Sequence, residues 1–153
     1  MIKFTVYGNP VPKGRPRFGR AKHSGKPVTY TPVETEIWES YVRAQALNVR
    51  PEKLLDGPLA LAATFYLMSP KSRPKGQAFP DRKPDLDNLV KAVKDALEGV
   101  IYTNDSRIVR EVAEKRYGDP PRVEIAIYDA AEGSWLDSCG GCRDFAFCTR
   151  GAE

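Results

Sequence analysis

Histidine is all but missing from this chain: there is one, His23, in 153 residues. That excludes a multi-histidine metal site and leaves a Ser-His-Asp or Cys-His mechanism with a single candidate base. Cysteine is confined to the last 15 residues, as Cys139, Cys142 and Cys148. No disulfide framework therefore holds the body, and an odd count fits a reducing compartment. Long apolar runs are absent as well. The longest, residues 59–68, has 10 residues, where a bilayer crossing takes roughly 20. The opening MIKFTVYGNP has neither a basic n-region nor an apolar h-region. The expectation is a soluble, cytoplasmic protein with one core, since single domains commonly run to about 100–200 residues.

What is there in quantity is charge, unevenly placed. The chain carries 24 Lys and Arg against 20 Asp and Glu, a net +4. Residues 1–128 hold 22 basic and 15 acidic side chains, and residues 129–153 hold 2 and 5. A basic body with an acidic tail points to a polyanionic partner, although a net charge of this size also occurs in proteins that never meet nucleic acid.

Residues 3–7 (KFTVY) alternate and predict a short strand. Residues 9–30 contain four prolines, three glycines, six basic residues and no acid, a density that predicts a long loop. Thr31-Pro32 with Glu34 has capping-box spacing and predicts a helix to about Val49 carrying Trp38, Tyr41, Val42 and Leu47. Residues 59–68 fit a buried strand, and residues 69–83 a second proline-rich loop with five basic residues. Residues 85–100 (DLDNLVKAVKDALEGV) predict the clearest helix, with Leu86, Leu89, Val90, Val93, Leu97 and Val100 on one face and Asp85 as N-cap. Residues 107–117 and 122–128 predict two strands joined through Gly118-Asp119-Pro120-Pro121. The sum is an α+β fold with a mixed β-sheet and two principal helices.

Asp85, Asp87, Asn88 and Lys91 cluster at a helix start, with Asp105 soon after the helix. Two readings fit. Acids at a helix N-terminus complement its dipole, and Asp87 with Lys91 is an ordinary i,i+4 surface pair. Alternatively, oxygen-only donors suit Mg²⁺ or Mn²⁺, with a lysine one turn away to stabilise developing charge on a phosphate. The flanking loops supply phosphate-binding chemistry: Lys13, Arg15, Arg17, Arg20, Lys22 and Lys26 in the first, and Lys71, Arg73, Lys75, Arg82 and Lys83 in the second. On their own these loops are equally a solvated basic surface.

GNPVPKGRPR, the helix with Trp38-Glu39, KPDLDNLVKAVKDALEGV and NDSRIV together resemble the RusA family of Holliday junction resolvases, over about residues 1–128. The resemblance implies a homodimeric, Mg²⁺-dependent endonuclease that binds four-way DNA junctions and nicks two strands symmetrically. It maps the catalytic and metal-binding carboxylates onto Asp85, Asp87 and Asp105, and the catalytic lysine onto Lys91. It implies DNA contacts from Lys13, Arg15 and Arg17, to which the second loop adds Lys71 and Arg73. Many members carry two adjacent acids where this chain has Asn104-Asp105, which assigns the ligand role to Asp105 and leaves Asn104 as a supporting partner. Asp95 reads equally as a helix-face residue and a catalytic one.

The acidic tail, residues 129–153, falls outside the resemblance. Cys139-Gly-Gly-Cys142 has the spacing of half a zinc site and Cys148 adds a third soft ligand, but a zinc site would still need His23, a carboxylate, water or a dimer mate as fourth ligand, so the expectation is a mobile tail open to redox chemistry rather than a zinc site. Three competing functions remain: a branched-DNA-binding module without cleavage, a PD-(D/E)xK nuclease lacking its D/E-x-K strand, and an interaction protein whose acids only cap a helix.

Overall fold

The computed structural model describes residues 1–131 except 16, 21–26, 74, 75 and 78, with the backbone alone for residues 17–20 and 27–30. Among the described residues, six strands and two helices follow in the order β1 (Ile2–Tyr7), β2 (Arg17–Arg20), β3 (Pro27–Tyr30), α1 (Val33–Leu47), β4 (Leu59–Leu67), α2 (Leu86–Leu97), β5 (Ile108–Tyr117) and β6 (Arg122–Asp129). A 3₁₀ turn, Asp105–Arg107, precedes β5.

The principal sheet has the order β1-β6-β4-β5. β6 runs antiparallel to both β1 and β4, with Phe4 opposite Ile125 and Ile125 opposite Ala63, while β4 and β5 are parallel. A parallel neighbour requires a crossover, and α2 supplies it. β5 and β6 are consecutive in the chain, yet β4 lies between them. β4 is the apolar run of the sequence, and all nine of its residues are buried, as a strand flanked on both sides must be. Leu59, Leu61, Ala63 and Phe65 share one core with Phe4, Val6, Ile125 and Ile127 from the sheet, Trp38, Val42 and Ala46 from α1, and Leu89, Val90, Val93 and Leu97 from α2. Each fully buried aliphatic side chain contributes about 1.5–3 kcal/mol. This common core fixes α2 against the sheet, so its opposite, polar face must look outward.

The structure corrects three expectations. Residues 9–30 are not loop throughout: β2 and β3 pair antiparallel, Phe18 with Thr29 and Gly19 with Val28. An isolated two-stranded ribbon has edges with no ladder to lose, so it accepts the proline and glycine that a central strand refuses. Thr31 does not cap α1. Pro32 holds the N-cap position, with no side-chain cap bond, and its carbonyl accepts from Thr35 N–H at 3.0 Å. Within α1, Tyr41 and Leu47 are exposed while Thr35, Trp38, Val42 and Ala46 form the buried stripe. Finally, α2 ends at Leu97 rather than running on to Val100. Glu98 is extended and Gly99 has φ +74°, a conformation glycine adopts at no steric cost. Val100 keeps its place in the core from the turn, which is why the periodicity outlasts the helix.

Candidate active site

The polar face of α2 carries the predicted site. Asp85 occupies the N-cap position with extended backbone, and its carbonyl accepts from Leu89 N–H at 3.2 Å, but its side chain makes no cap bond. Asp87 follows in the first turn. Both carboxylates are exposed, and among the described residues neither has a hydrogen-bond or ion-pair partner. Lys91 does not turn back to Asp87. Its ammonium lies 2.9 Å from Asp95 Oδ1 and 3.4 Å from Asp105 Oδ2. The side chains thus do not follow the structural reading of this cluster, in which Asp85 caps the helix and Asp87 pairs with Lys91.

The turn after α2 delivers Asp105. Gly99 N–H donates to Tyr102 O at 2.8 Å, and the buried Tyr102 hydroxyl donates to Lys94 O at 2.9 Å, which staples the turn beneath the helix. Burial pushes the Tyr102 hydroxyl far above its usual titration range, and the nearby charges of Asp105 and Glu98 add to this, so it remains a donor. Asn104 Oδ1 accepts from Ser106 N–H at 3.0 Å and so shapes the 3₁₀ turn. Glu98 takes Asn104 Nδ2 on one oxygen and Asp105 N–H on the other, each at 3.4 Å. Asn104 therefore supports the position of Asp105, and Glu98 and Tyr102 do so with it.

Lys13 is placed differently from a free DNA contact. Its backbone N–H donates to Asn88 O at 2.8 Å, and its ammonium lies 2.6 Å from Glu39 Oε1 and 2.8 Å from Asp95 Oδ2. Partial burial opposes its charged form, but the bonds and charges of Asp95 and Glu39 prevail and raise its pKa. Lys91 is raised mainly by its hydrogen bond to Asp95. Burial by itself would raise the Asp95 pKa, yet the hydrogen bonds and charges of the two lysines outweigh it and hold the carboxyl below its ordinary value.

Of the other predicted DNA contacts, Arg15 and Lys71 are exposed, and the side chain of Arg17 lies outside the described residues. Arg73 donates to Ser69 Oγ at 2.7 Å, and its guanidinium stands 5.1 Å from the centre of the Tyr117 ring. It lines a groove of about 500 Å³ with Pro70, Ser72, Gln77, Asp81, Arg82 and Tyr117. Lys115 anchors the segment between this groove and Asp85, donating to Arg82 O and Pro84 O at 2.9 Å each. Cys139, Cys142, Cys148 and His23 lie outside the described residues, and with them the zinc question.

Asp85, Asp87 and Asp105 do not form a closed ligand set. Among the described residues no group of three His, Cys, Asp or Glu side chains gathers at one point to hold a metal ion. The donor chemistry suits a hard cation all the same. Mg²⁺ takes one or two carboxylates directly and keeps several waters, and Asp85 and Asp87 are carboxylates without a competing cation among the described residues.

Comparison with known proteins decides the lineage. Residues 7–128 match the family model described as Endodeoxyribonuclease RusA. The chain belongs to the RusA endodeoxyribonuclease family. Within reach of this RusA-family chain is YqaN of Bacillus subtilis (strain 168), a protein without an assigned activity, 39% identical over 140 residues that cover 85% of this chain and 97% of the relative. A second relative is named crossover junction endodeoxyribonuclease rusA, from Lactococcus phage r1t. It is 32% identical over 89 residues, which cover 56% of this chain and 67% of the phage protein. The architecture agrees with the expected α+β class of mixed sheet and two helices. Among the described residues no helix is long and apolar enough to cross a membrane.

Proposed function

We propose that this protein is a Mg²⁺-dependent, structure-specific endonuclease that resolves four-way DNA junctions by paired symmetric nicks as a homodimer, with residues 1–128 as the catalytic domain and residues 129–153 as an appended acidic tail. The observation that supports it most is the approach of Asp105 to Lys91, 3.4 Å away, on the helix face that begins with Asp85 and Asp87, whose carboxylates have no partner among the described residues. Asp85 and Asp87 open that face directly after the second basic loop, and Asp105 reaches Lys91 one turn further on.

Asp85, Asp87 and Asp105 would hold the cation, Mn²⁺ serving in place of Mg²⁺. Bound there, it supplies Lewis acidity at a phosphate oxygen and charge neutralisation. Lys91 offers its ammonium to the negative charge that builds on the phosphate as water adds to phosphorus, the P–O bond to the leaving oxygen breaks and that oxygen takes up a proton. Arg15, Arg17, Lys71 and Arg73 take backbone phosphates, which fix the register without reading sequence. Lys13 leaves that set, because Glu39 and Asp95 already engage its charge. A two-fold dimer matches the near-two-fold junction and presents one site to each of two strands.

The test is a synthetic four-way junction with Mg²⁺, with chelator, and with Asp87→Asn. Cleavage into paired nicked duplexes by wild type alone is expected. A junction left whole in both Mg²⁺ and Mn²⁺ refutes the nuclease reading. The lack of a closed ligand set among the described residues favours one second reading, a module that binds branched DNA without cutting. Tight junction binding with no product under any divalent ion would select it.

A further inference from the structure

Five side chains of alternating charge form a continuous chain: Glu39, Lys13, Asp95, Lys91 and Asp105. The successive separations are 2.6, 2.8, 2.9 and 3.4 Å. Asp95 gives one oxygen to each lysine, so both of its oxygens are engaged. The chain links α1, the segment after β1, α2 and the 3₁₀ turn. It is moored by the backbone at residues 12–14. Lys13 N–H donates to Asn88 O at 2.8 Å, Gly14 N–H donates to Thr35 Oγ1 at 3.2 Å, and the Thr35 hydroxyl, itself buried, donates to Pro12 O at 3.3 Å. A Cβ on Gly14 would lie 2.6 Å from Pro32 Cγ, so the close approach depends on glycine. Arg43 adds a further tie between the helices, donating to Asp95 O at 3.4 Å.

We propose that Asp95 is the positioning residue of this active site: it holds the Lys91 ammonium beside Asp105, and Lys13 is the counter-charge that keeps Asp95 in place. The inference rests on the nuclease reading above. An ammonium has three N–H donors. Asp95 and Asp105 occupy two on Lys91, leaving one for a phosphate oxygen. The Lys91 side chain is half exposed, and a single exposed ion pair fixes a long, flexible side chain poorly. Two carboxylates restrain it far better, and the shorter of the two bonds is the one to Asp95. Asp95 touches neither substrate nor reacting atoms; it acts through Lys91.

The experiment is steady-state junction cleavage by Asp95→Asn, Asp95→Glu, Lys13→Met and the double variant Lys13→Met/Asp95→Asn, paired with ¹⁵N-lysine ammonium spectra of the metal-free protein. Asp95→Asn should lower kcat by about tenfold, below the roughly 10²–10³-fold cost of deleting a group that contacts the transition state, with KM for the junction unchanged within about twofold. Asp95→Glu, which keeps the charge, should recover most of the loss. Lys13→Met should lower kcat in the same direction, and the double variant should be no worse than Asp95→Asn, because the two act through one contact. A loss confined to KM in Asp95→Asn, no rescue by glutamate, or additive losses would overturn the proposal. So would a rise in KM and a shallower salt dependence in Lys13→Met, the signature of a phosphate contact. In the spectra, Asp95→Asn should shift both the Lys13 and Lys91 ammonium signals while Asp87→Asn leaves them in place; unchanged signals in Asp95→Asn refute the bridge. If wild type fails to cut the junction, the nuclease reading falls and the spectra alone decide whether Asp95 holds both lysines.

Discussion

Gly14→Ala puts the mooring of the N-terminal segment to a direct test. Gly14 has no positive φ, so alanine suits its backbone, and in open space the change would stabilise the protein by about 0.4–1 kcal/mol through the unfolded chain. The surroundings reverse that sign. The new Cβ would stand 2.6 Å from Pro32 Cγ, 3.0 Å from Pro32 Cδ and 3.1 Å from Thr35 Oγ1, where carbon atoms prefer about 3.5–4.0 Å. Pro32 is held at the N-cap of α1 and Thr35 is buried in its first turn, so neither gives way cheaply. Overpacking of this kind costs about 1–3 kcal/mol, and displacing the segment weakens the Gly14 N–H to Thr35 Oγ1 bond, worth about 1 kcal/mol. The expected net loss is about 2 kcal/mol, or a fall in Tm of about 4–8 °C for a chain of this size. Gly57→Ala is the control, since a Cβ there meets nothing within 4 Å and φ is not positive, and it should stabilise by the full unfolded-state gain of about 0.4–1 kcal/mol. Urea titrations of both variants against wild type measure the difference. A Gly14→Ala protein as stable as wild type, or a Gly57→Ala protein that loses as much as Gly14→Ala, would refute the reasoning.

Asp85→Ala should cost less than about 0.5 kcal/mol of stability, because the side chain makes no cap bond, where a working N-cap is worth about 1 kcal/mol; thermal melts compare the two values, and junction cleavage should be abolished in the same protein. Tyr102→Phe removes the buried hydroxyl bond to Lys94 O and should destabilise by about 1 kcal/mol, measured as a shift in the urea midpoint at unchanged m-value. The Asp95 carboxyl is burdened by burial but held below its ordinary value by the bonds and charges of Lys13 and Lys91. Its contribution is therefore present above the unfolded-state pKa of about 4 and is lost as pH falls below it. Unfolding curves of wild type and Asp95→Asn at pH 6 and pH 3 should show the gap between the two proteins narrowing at the lower pH, and a constant gap would contradict the assignment.

The parts of this fold that were legible from sequence are those whose signal is local. β4 announces itself as an unbroken apolar run, β6 by alternation, and α2 by apolar residues at three- and four-residue spacing, because each pattern follows directly from which face is buried. The β2–β3 ribbon was hidden because proline and glycine mark loops more strongly than Phe18, Val28 and Tyr30 mark strands, and no periodicity reveals a two-stranded pairing with so few residues. Placement of β4 between β5 and β6 is a non-local choice. It depends on the apolar strand taking a position with neighbours on both sides, which adjacent hairpin-like strands in the chain do not disclose.

The site divides along the same line. Asp85, Asp87 and Lys91 lie within seven residues and one helical repeat places them, whereas the approach of Asp105 depends on Gly99 reversing the chain and on Tyr102 being buried under Lys94. Lys13 shows the limit most clearly. It opens a run of basic residues without a nearby acid, and composition alone assigns such a residue to phosphate. Its partners, Glu39 and Asp95, lie 26 and 82 positions further on and are brought to it only when α1 and α2 pack on one sheet face. Once there, the ammonium gains two carboxylates in a partly dehydrated setting, where charge pairs are stronger than in open water. A phosphate would have to displace both to claim it. Arg15, two residues on and exposed without a partner among the described residues, faces no such competition. Charge placement therefore locates the basic segments of this chain, but the acids that packing brings near decide which of their cations are left free to take a phosphate.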